Sequence, residues 1–255
     1  MIRIKRPSDI PKSLTSKGVQ STDDNCSSFT KNKKKFLASF KVDTSIYGAP
    51  PVKKKLKKAQ HNKCCFCEKD QGEEYGAVEH YRPKMGYKVD KTQKTLTKPG
   101  YYWLAYDWNN LLFVCGYCNT GYKKSYFALT DEKKRAKSHK GSTAKEDPLL
   151  IDPCGQRDPR DHIVFTNQLA TPKDEYGRYT IEYCGLDRDS LNVAREKLIS
   201  DINARLAILS QKENYSKKEV DKAKQYIIDC RKPEAEFSSM ARDYLSQFSF
   251  KKAGK

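Results

Sequence analysis

The chain has 255 residues, 37% hydrophobic and 32% charged, and its Lys plus Arg (50) exceed Asp plus Glu (32) to give a net charge of +18. That length allows one large domain or two small ones, and no apolar run approaches the roughly 18 residues that cross a bilayer, which excludes a helical membrane protein. The charge predicts a polyanionic partner held by the first half of the chain, because residues 1–60 carry +11, residues 61–140 carry +6 and residues 141–255 only +1.

Residues 1–52 read as a basic, partly flexible N-terminal arm, rich in Ser, Thr, Lys and Asn, with one short helix near Phe36-Leu37-Ala38. Met1 to Arg6 is basic but leads into Pro7, Ser8 and Asp9, so no secretory leader is expected. The expected location is the reducing cytoplasm, where the nine cysteines serve as metal ligands or buried thiols and not as disulfides. Pro50 and Pro51 then open a lysine-rich helix, Val52 to Gln60, with proline in its first turn.

Residues 53–130 hold the chemistry. Cys64-Cys65-Phe66-Cys67 and Cys115-Gly116-Tyr117-Cys118 are two C-x2-C pairs with 47 residues between them. Each pair sets two thiolates on one tight turn, and together they complete a tetrahedral shell for zinc at about 2.3 Å per bond. Cys64, Cys67, Cys115 and Cys118 leave that ion no open position, so its role is structural. Cys65 could replace Cys64 only with the less favourable C-x-C spacing, and Cys26, Cys154, Cys184 and Cys230 read as ordinary thiols.

The segment 131–190 reads as a linker and an accessory β section. Thr130 to Asp147 is polar and helix-compatible; strand-like stretches follow at Leu149 to Pro153, Ile163 to Phe165 and Tyr179 to Tyr183, the last two separated by a turn containing Gly177. Of the lone histidines, His61 and His139 are expected to be exposed, and His162, flanked by Asp158 and Asp161, to join a structural network. Residues 191–255 form a helical region. Leu191, Ala194, Leu198, Ile202, Leu206 and Leu209 make one stripe; Ser216 and Glu219 form a capping box; Pro233 opens a third helix with Phe237, Met240, Tyr244, Leu245 and Phe248 on one face.

Between the cysteine pairs stand Val78-Glu79-His80-Tyr81-Arg82-Pro83-Lys84 and Trp108-Asn109-Asn110-Leu111, and after them Asn119 and Lys123. This order resembles the HNH endonuclease motif in its zinc-knuckle form. Together with Trp103 to Leu111, Leu149 to Pro153, Asp158 to Ile163 and Gly185 to Arg188, it is more closely similar to the PtuB nuclease-subunit family of Septu and retron-linked anti-phage systems. The resemblance covers about residues 55–195. It implies an α+β protein with a ββα-metal (HNH) core stapled by the four-Cys zinc site, a short β section and C-terminal helices. It also implies a metal-dependent endonuclease acting on DNA, or on RNA such as tRNA. Its expected partners are the ATPase subunit PtuA and a retron reverse transcriptase with its DNA product.

Phosphodiester hydrolysis needs an activated water and a cation at the phosphate. His80, with an imidazole pKa near 6.5, is the expected general base. Glu79 and Asn119 supply oxygen ligands for Mg2+ or another divalent cation. By the resemblance, Asn110 orients the His80 loop. Arg82, Lys84, Lys123 and Lys124 are the expected nucleic-acid contacts. Two departures from the common motif stand out: Glu79 where many members have Asp, and Asn119 where many have His. A noncatalytic zinc-knuckle module that binds nucleic acid explains the charge and the cysteines but gives Glu79-His80 and Asn119 no role. A third reading is an interaction subunit whose C-terminal helices dock an ATPase, with nuclease activity lost.

Overall fold

In β2 (Leu111–Val114) four consecutive apolar residues are all buried, because the strand lies between two cores. Leu111 and Phe113 face a smaller core with Leu14, Ile46, Val52 and Trp108, whereas Leu112 and Val114 face the main one. The structure, a computed structural model, describes residues 1–72 and 76–248. Strand β1 (Ala77–His80) pairs antiparallel with β2, aligning Glu79 with Leu112 and His80 with Leu111. On the opposite edge of β2, the Gln60 side chain accepts from Phe113 N–H (2.9 Å) and donates to Phe113 C=O (2.7 Å), standing in for a third strand.

The first 52 residues are not a loose arm among these elements. A π-helical turn (Leu14–Gly18) and helices α1 (Val19–Lys31), α2 (Lys33–Ser39) and α3 (Thr44–Tyr47) lead into α4 (Pro50–Ala59), which has proline in its first turn. A few buried apolar residues suffice: Leu14, Phe36, Ile46, Val52 and Leu56 are at most 7% exposed. Arg6 ties this region down through its guanidinium, which donates to the carbonyls of Trp108 (2.8 Å) and Leu111 (2.7 Å).

Residues 130–147 are likewise packed rather than a free linker. Arg135 donates to Tyr101 Oη and Phe127 O, and the buried Glu146 carboxylate accepts from Tyr101 Oη and from Arg82. His139, expected at the surface, is half-buried against Tyr102, with Nδ1 2.6 Å from the phenol oxygen. Leu149 to Pro153, expected as a strand, joins no sheet; its backbone bonds go to Ala128, Ile4 and the hydroxyls of Tyr81 and Thr180. After α5 (Pro159–His162), β3 (Ile163–Thr166) pairs with β4 (Leu169–Pro172).

Tyr179 to Tyr183, expected as a strand, lies in α6 (Glu175–Cys184). Asp174 caps its start by accepting from Gly177 N–H, and Gly185 ends it in the left-handed region at φ +59°. The aromatic and β-branched residues that suggested a strand serve instead to bury one side of this helix. Gly177 lies inside the helix and not in a turn, because a Cβ there would sit 2.0 Å from His162 O. Gly177→Ala is therefore expected to cost about 1–3 kcal/mol through overpacking. Thermal unfolding should show it as a Tm lowered by about 2–4 °C per kcal/mol.

Helices α7 (Asp189–Ser210), α8 (Lys217–Asp229) and α9 (Ser238–Leu245) close the main core. Ser216 and Glu219 cap α8 reciprocally, while α9 starts five residues after Pro233, following Phe237 at φ +51°. The apolar faces of these helices turn inward: Leu191, Ile202, Ile227, Met240 and Leu245 are all buried in that core. Phe248 is exposed and meets the Tyr244 ring at its edge. No helix among the described residues is long and apolar enough to cross a membrane.

Candidate functional site

The two C-x2-C turns meet where the start of the chain's central segment docks on the end of β2. Cys65 N–H donates to Phe113 O (3.2 Å), which sets the first turn beside the second. The Sγ atoms of Cys64, Cys67, Cys115 and Cys118 all lie within 4.8 Å of one another, and all four residues are buried. Cys67 and Cys115 are 3.8 Å apart. A tetrahedron with metal–sulfur bonds of about 2.3 Å has edges of about 3.8 Å, so the donor set has the size that zinc requires. Cys65 is buried outside this cluster, and burial pushes its thiol well above the ordinary range, which keeps it neutral. The four thiols can thus hold a metal ion such as zinc.

Four thiolates around one dication leave a net negative charge, and Arg188 stands beside it with Nη1 3.5 Å from Cys118 Sγ. Burial opposes the guanidinium charge, but the neighbouring sulfurs of Cys118 and Cys67 outweigh it and hold Arg188 above its usual range. On the other side, Lys63 donates to the carbonyls of Pro233 and Ala235, fastening the first turn to the approach to α9.

His80 ends β1 and is 1% exposed. Its Nε2 lies 2.8 Å from Ala105 O, so this nitrogen must carry the proton and donate, leaving Nδ1 with its lone pair. Lys84 Nζ donates to Nδ1 at 3.1 Å. The Tyr47 ring meets the imidazole edge-on at 4.5 Å and lies under the Lys84 ammonium at 5.0 Å. Burial, reinforced by the Lys84 charge, pushes the His80 pKa well below 6.5, lower than the ordinary value expected from sequence. Lys84 is itself lowered by burial, an effect that Glu79 offsets and Lys123 adds to.

Glu79, the neighbour of His80 on β1, accepts through Oε1 from Lys123 Nζ at 3.3 Å. Lys123 is fully buried and also donates to His80 O at 2.8 Å, so it braces the end of β1 and is not placed to meet a nucleic-acid phosphate. Arg82 is similarly committed: its guanidinium pairs with Glu146 (3.0 Å) and packs over Tyr81, Tyr101 and Phe127. Of the four cationic residues singled out in the sequence, Lys124 is exposed and Lys84 lies at the imidazole.

Asn110 is buried, and its side chain makes a two-way bond with the Arg82 backbone: Oδ1 accepts from N–H (2.7 Å) and Nδ2 donates to C=O (3.1 Å). Nδ2 also donates to Leu104 O, which joins the turn after His80 to the segment carrying Ala105. Asn110→Ala would leave these groups unpaired at about 1–3 kcal/mol. The expected result is a lower Tm, measured by thermal unfolding, together with loosened His80 positioning.

Asn119 is partly exposed in the helical segment Tyr117–Lys123. That segment is of the wide π type, closed by Lys124 N–H donating to Asn119 O (2.7 Å), and ends with Lys124 at φ +46°. A seven-residue π turn thus stands where the resemblance implies a regular α-helix. Tyr47, the Ala105 carbonyl and Arg188 also belong to this neighbourhood. Ala105 and Arg188 lie in segments that carry the resemblance, but no sequence signal gives them or Tyr47 a role, because each comes from a segment far along the chain from its partner.

No family model matches the chain. The chain is similar to the Septu protein PtuB of Bacillus mycoides (strain KBAB4), 37% identical over 171 residues, which is 66% of this chain and 57% of that protein. It is also similar to the Septu protein PtuA of the same strain, 24% identical over 163 residues, 64% of this chain and 23% of that protein. The chain therefore spans a little over half of one curated relative and about a quarter of the other.

Proposed function

We infer that this chain is a metal-dependent endonuclease of the HNH type, acting as the PtuB-like nuclease of a Septu anti-phage system. The observation that carries the reading is the state of His80: Nε2 is committed to Ala105 O, which leaves Nδ1 as the basic nitrogen on a hairpin stapled by the four-Cys cluster. A buried, oriented, neutral imidazole is what a general base requires. A noncatalytic zinc module has no use for it.

In this reading the four cysteines hold a structural zinc. Nδ1 of His80 takes a proton from the attacking water as the new P–O bond forms and the bond to the leaving oxygen breaks. Lys84 turns from Nδ1 to the phosphate, freeing the nitrogen and contributing positive charge where the phosphate gains negative charge. Tyr47 limits the imidazole's rotation, and Asn110 holds the turn that positions it. Glu79, whose carboxylate also meets Lys123 at 3.3 Å, and Asn119 would offer the hard oxygen donors that a divalent cation such as Mg2+ prefers. When bound, that cation supplies charge to the phosphate.

The partners that go with this reading are a PtuA-type ATPase and, in retron-linked versions, a reverse transcriptase with its DNA product. The test is cleavage of labelled DNA and RNA with zinc-loaded protein and added Mg2+, with and without the ATPase. Metal-dependent cleavage of either polymer supports the reading. No cleavage of either, with the partner present, removes it.

A further inference from the structure

Away from the hairpin, α1 and α2 form a groove of about 640 Å³ whose wall includes Asn25, Lys31, Lys35, Phe36, Phe40 and Lys41. Its shape is set by Asn32, which sits between the two helices at φ −154° and caps α2 by accepting from Lys35 N–H. The two rings in the wall stack on each other at 4.7 Å, and Phe36 also meets the Tyr102 ring at 5.0 Å, which anchors the helix pair to the smaller core's surroundings. The three lysines of the wall are exposed, whereas the acidic residues of α1, Asp23 and Asp24, do not line the groove. Phe36 is buried among these rings, which leaves the partly exposed Phe40 as the ring at the open side of the groove. Cations around a groove with an aromatic ring at its side match the way proteins hold a nucleic-acid strand.

A short stretch of chain joins the groove to the candidate site. Lys41 is followed six residues later by Tyr47, whose ring lies 4.5 Å from that of His80. We propose that the α1–α2 groove is a binding site for the phosphate backbone of a nucleic-acid strand, held by Lys31, Lys35 and Lys41 so that the strand continues past Tyr47 to His80. This deepens the nuclease reading and, for its direction toward His80, rests on it.

The test measures binding in full-length His80→Ala protein, so that cleavage does not interfere. Probes are a 30-nucleotide fluorescein-labelled DNA, single-stranded and duplex, and the RNA of the same sequence. The groove variant is Lys31→Glu, Lys35→Glu and Lys41→Glu together, with the three Lys→Gln changes as a milder second set. A charge-matched control carries Lys217→Glu, Lys218→Glu and Lys222→Glu on the exposed side of α8. The groove variant is expected to bind about 10-fold or more weaker, with a salt slope reduced by about 2 to 3, since each lost phosphate contact removes roughly 0.7 to 0.9. The Gln set should show a smaller change in the same direction, and the control an unchanged slope. Equal losses in groove and control variants, no loss in either, or no binding by the parent protein would overturn the proposal. Binding through the groove by a protein whose wild type never cleaves, even with the partner ATPase present, would leave the groove standing and remove the nuclease.

Discussion

Exchange of any one cysteine of the cluster, with Cys115→Ser as the sharpest case, is expected to abolish metal binding and unfold the central hairpin. A structural zinc site contributes roughly 10 to 16 kcal/mol of apparent binding free energy, comparable to the whole stability of an ordinary domain. Here its loss would fall on two turns far apart in the chain that are brought together at the four sulfurs. It would also leave Arg188 without the charge that compensates its burial. Elemental analysis should find about one zinc per chain in the wild type and none in the variant. Circular dichroism and thermal unfolding should show lost structure, and a strong chelator should reproduce the effect. Folded, zinc-free wild type with an unchanged Tm would refute the structural role.

His80→Ala is expected to lower cleavage by about 10²-fold or more, the scale on which a general base acts. Zinc content and nucleic-acid binding should be retained. The substitution also leaves Ala105 O without its donor, so a loss of about 1–3 kcal/mol in stability should accompany it and can be separated by Tm. Wild-type cleavage by a variant of this kind would dismiss His80 as the base.

The pH dependence has a definite sign. Because burial and then Lys84 depress the His80 pKa well below 6.5, the base stays neutral, and kcat/KM should stay level, until the pH falls well under 6.5. The unfolded chain, with its histidine near 6.5, binds a proton earlier. His80 therefore contributes stability fully above about 6.5, and that contribution is lost progressively as the pH falls from there toward the folded pKa. Lys84→Ala removes one of the three depressing influences, the others being burial and the Lys123 charge, so the acidic limb should move up toward neutrality. An acidic limb that does not move would mean that burial and Lys123 set the value.

Local sequence determined the parts of this protein whose geometry is set within a few residues. The C-x2-C spacing specifies two thiols per turn, so the cysteine quartet was legible, and tertiary structure had only to bring the two turns together. The same holds for proline at the head of α4 and for the reciprocal Ser216–Glu219 cap, since both are contacts within one turn. Wherever the outcome depended on what packs against a segment, local pattern was insufficient. Tyr179 to Tyr183 has strand-like residues but becomes helix, because Asp174 and Gly185 cap it and Gly177 lets it approach His162. The basic first 52 residues look uncommitted, yet a handful of apolar side chains and Arg6 bind them to the hairpin.

The candidate site divides in the same way. The residue types Glu79, His80, Asn110 and Asn119 can be read in order along the chain, but their protonation and availability cannot. Only the fold decides that Ala105 O fixes the imidazole tautomer, that Lys84 and not Lys123 reaches Nδ1, and that Arg82 is used up by Glu146. The reason is physical: a charge's role depends on its solvation and nearest partners, and those come from segments tens of residues away, whereas metal-ligand spacing and helix caps are short-range geometry carried by the sequence itself.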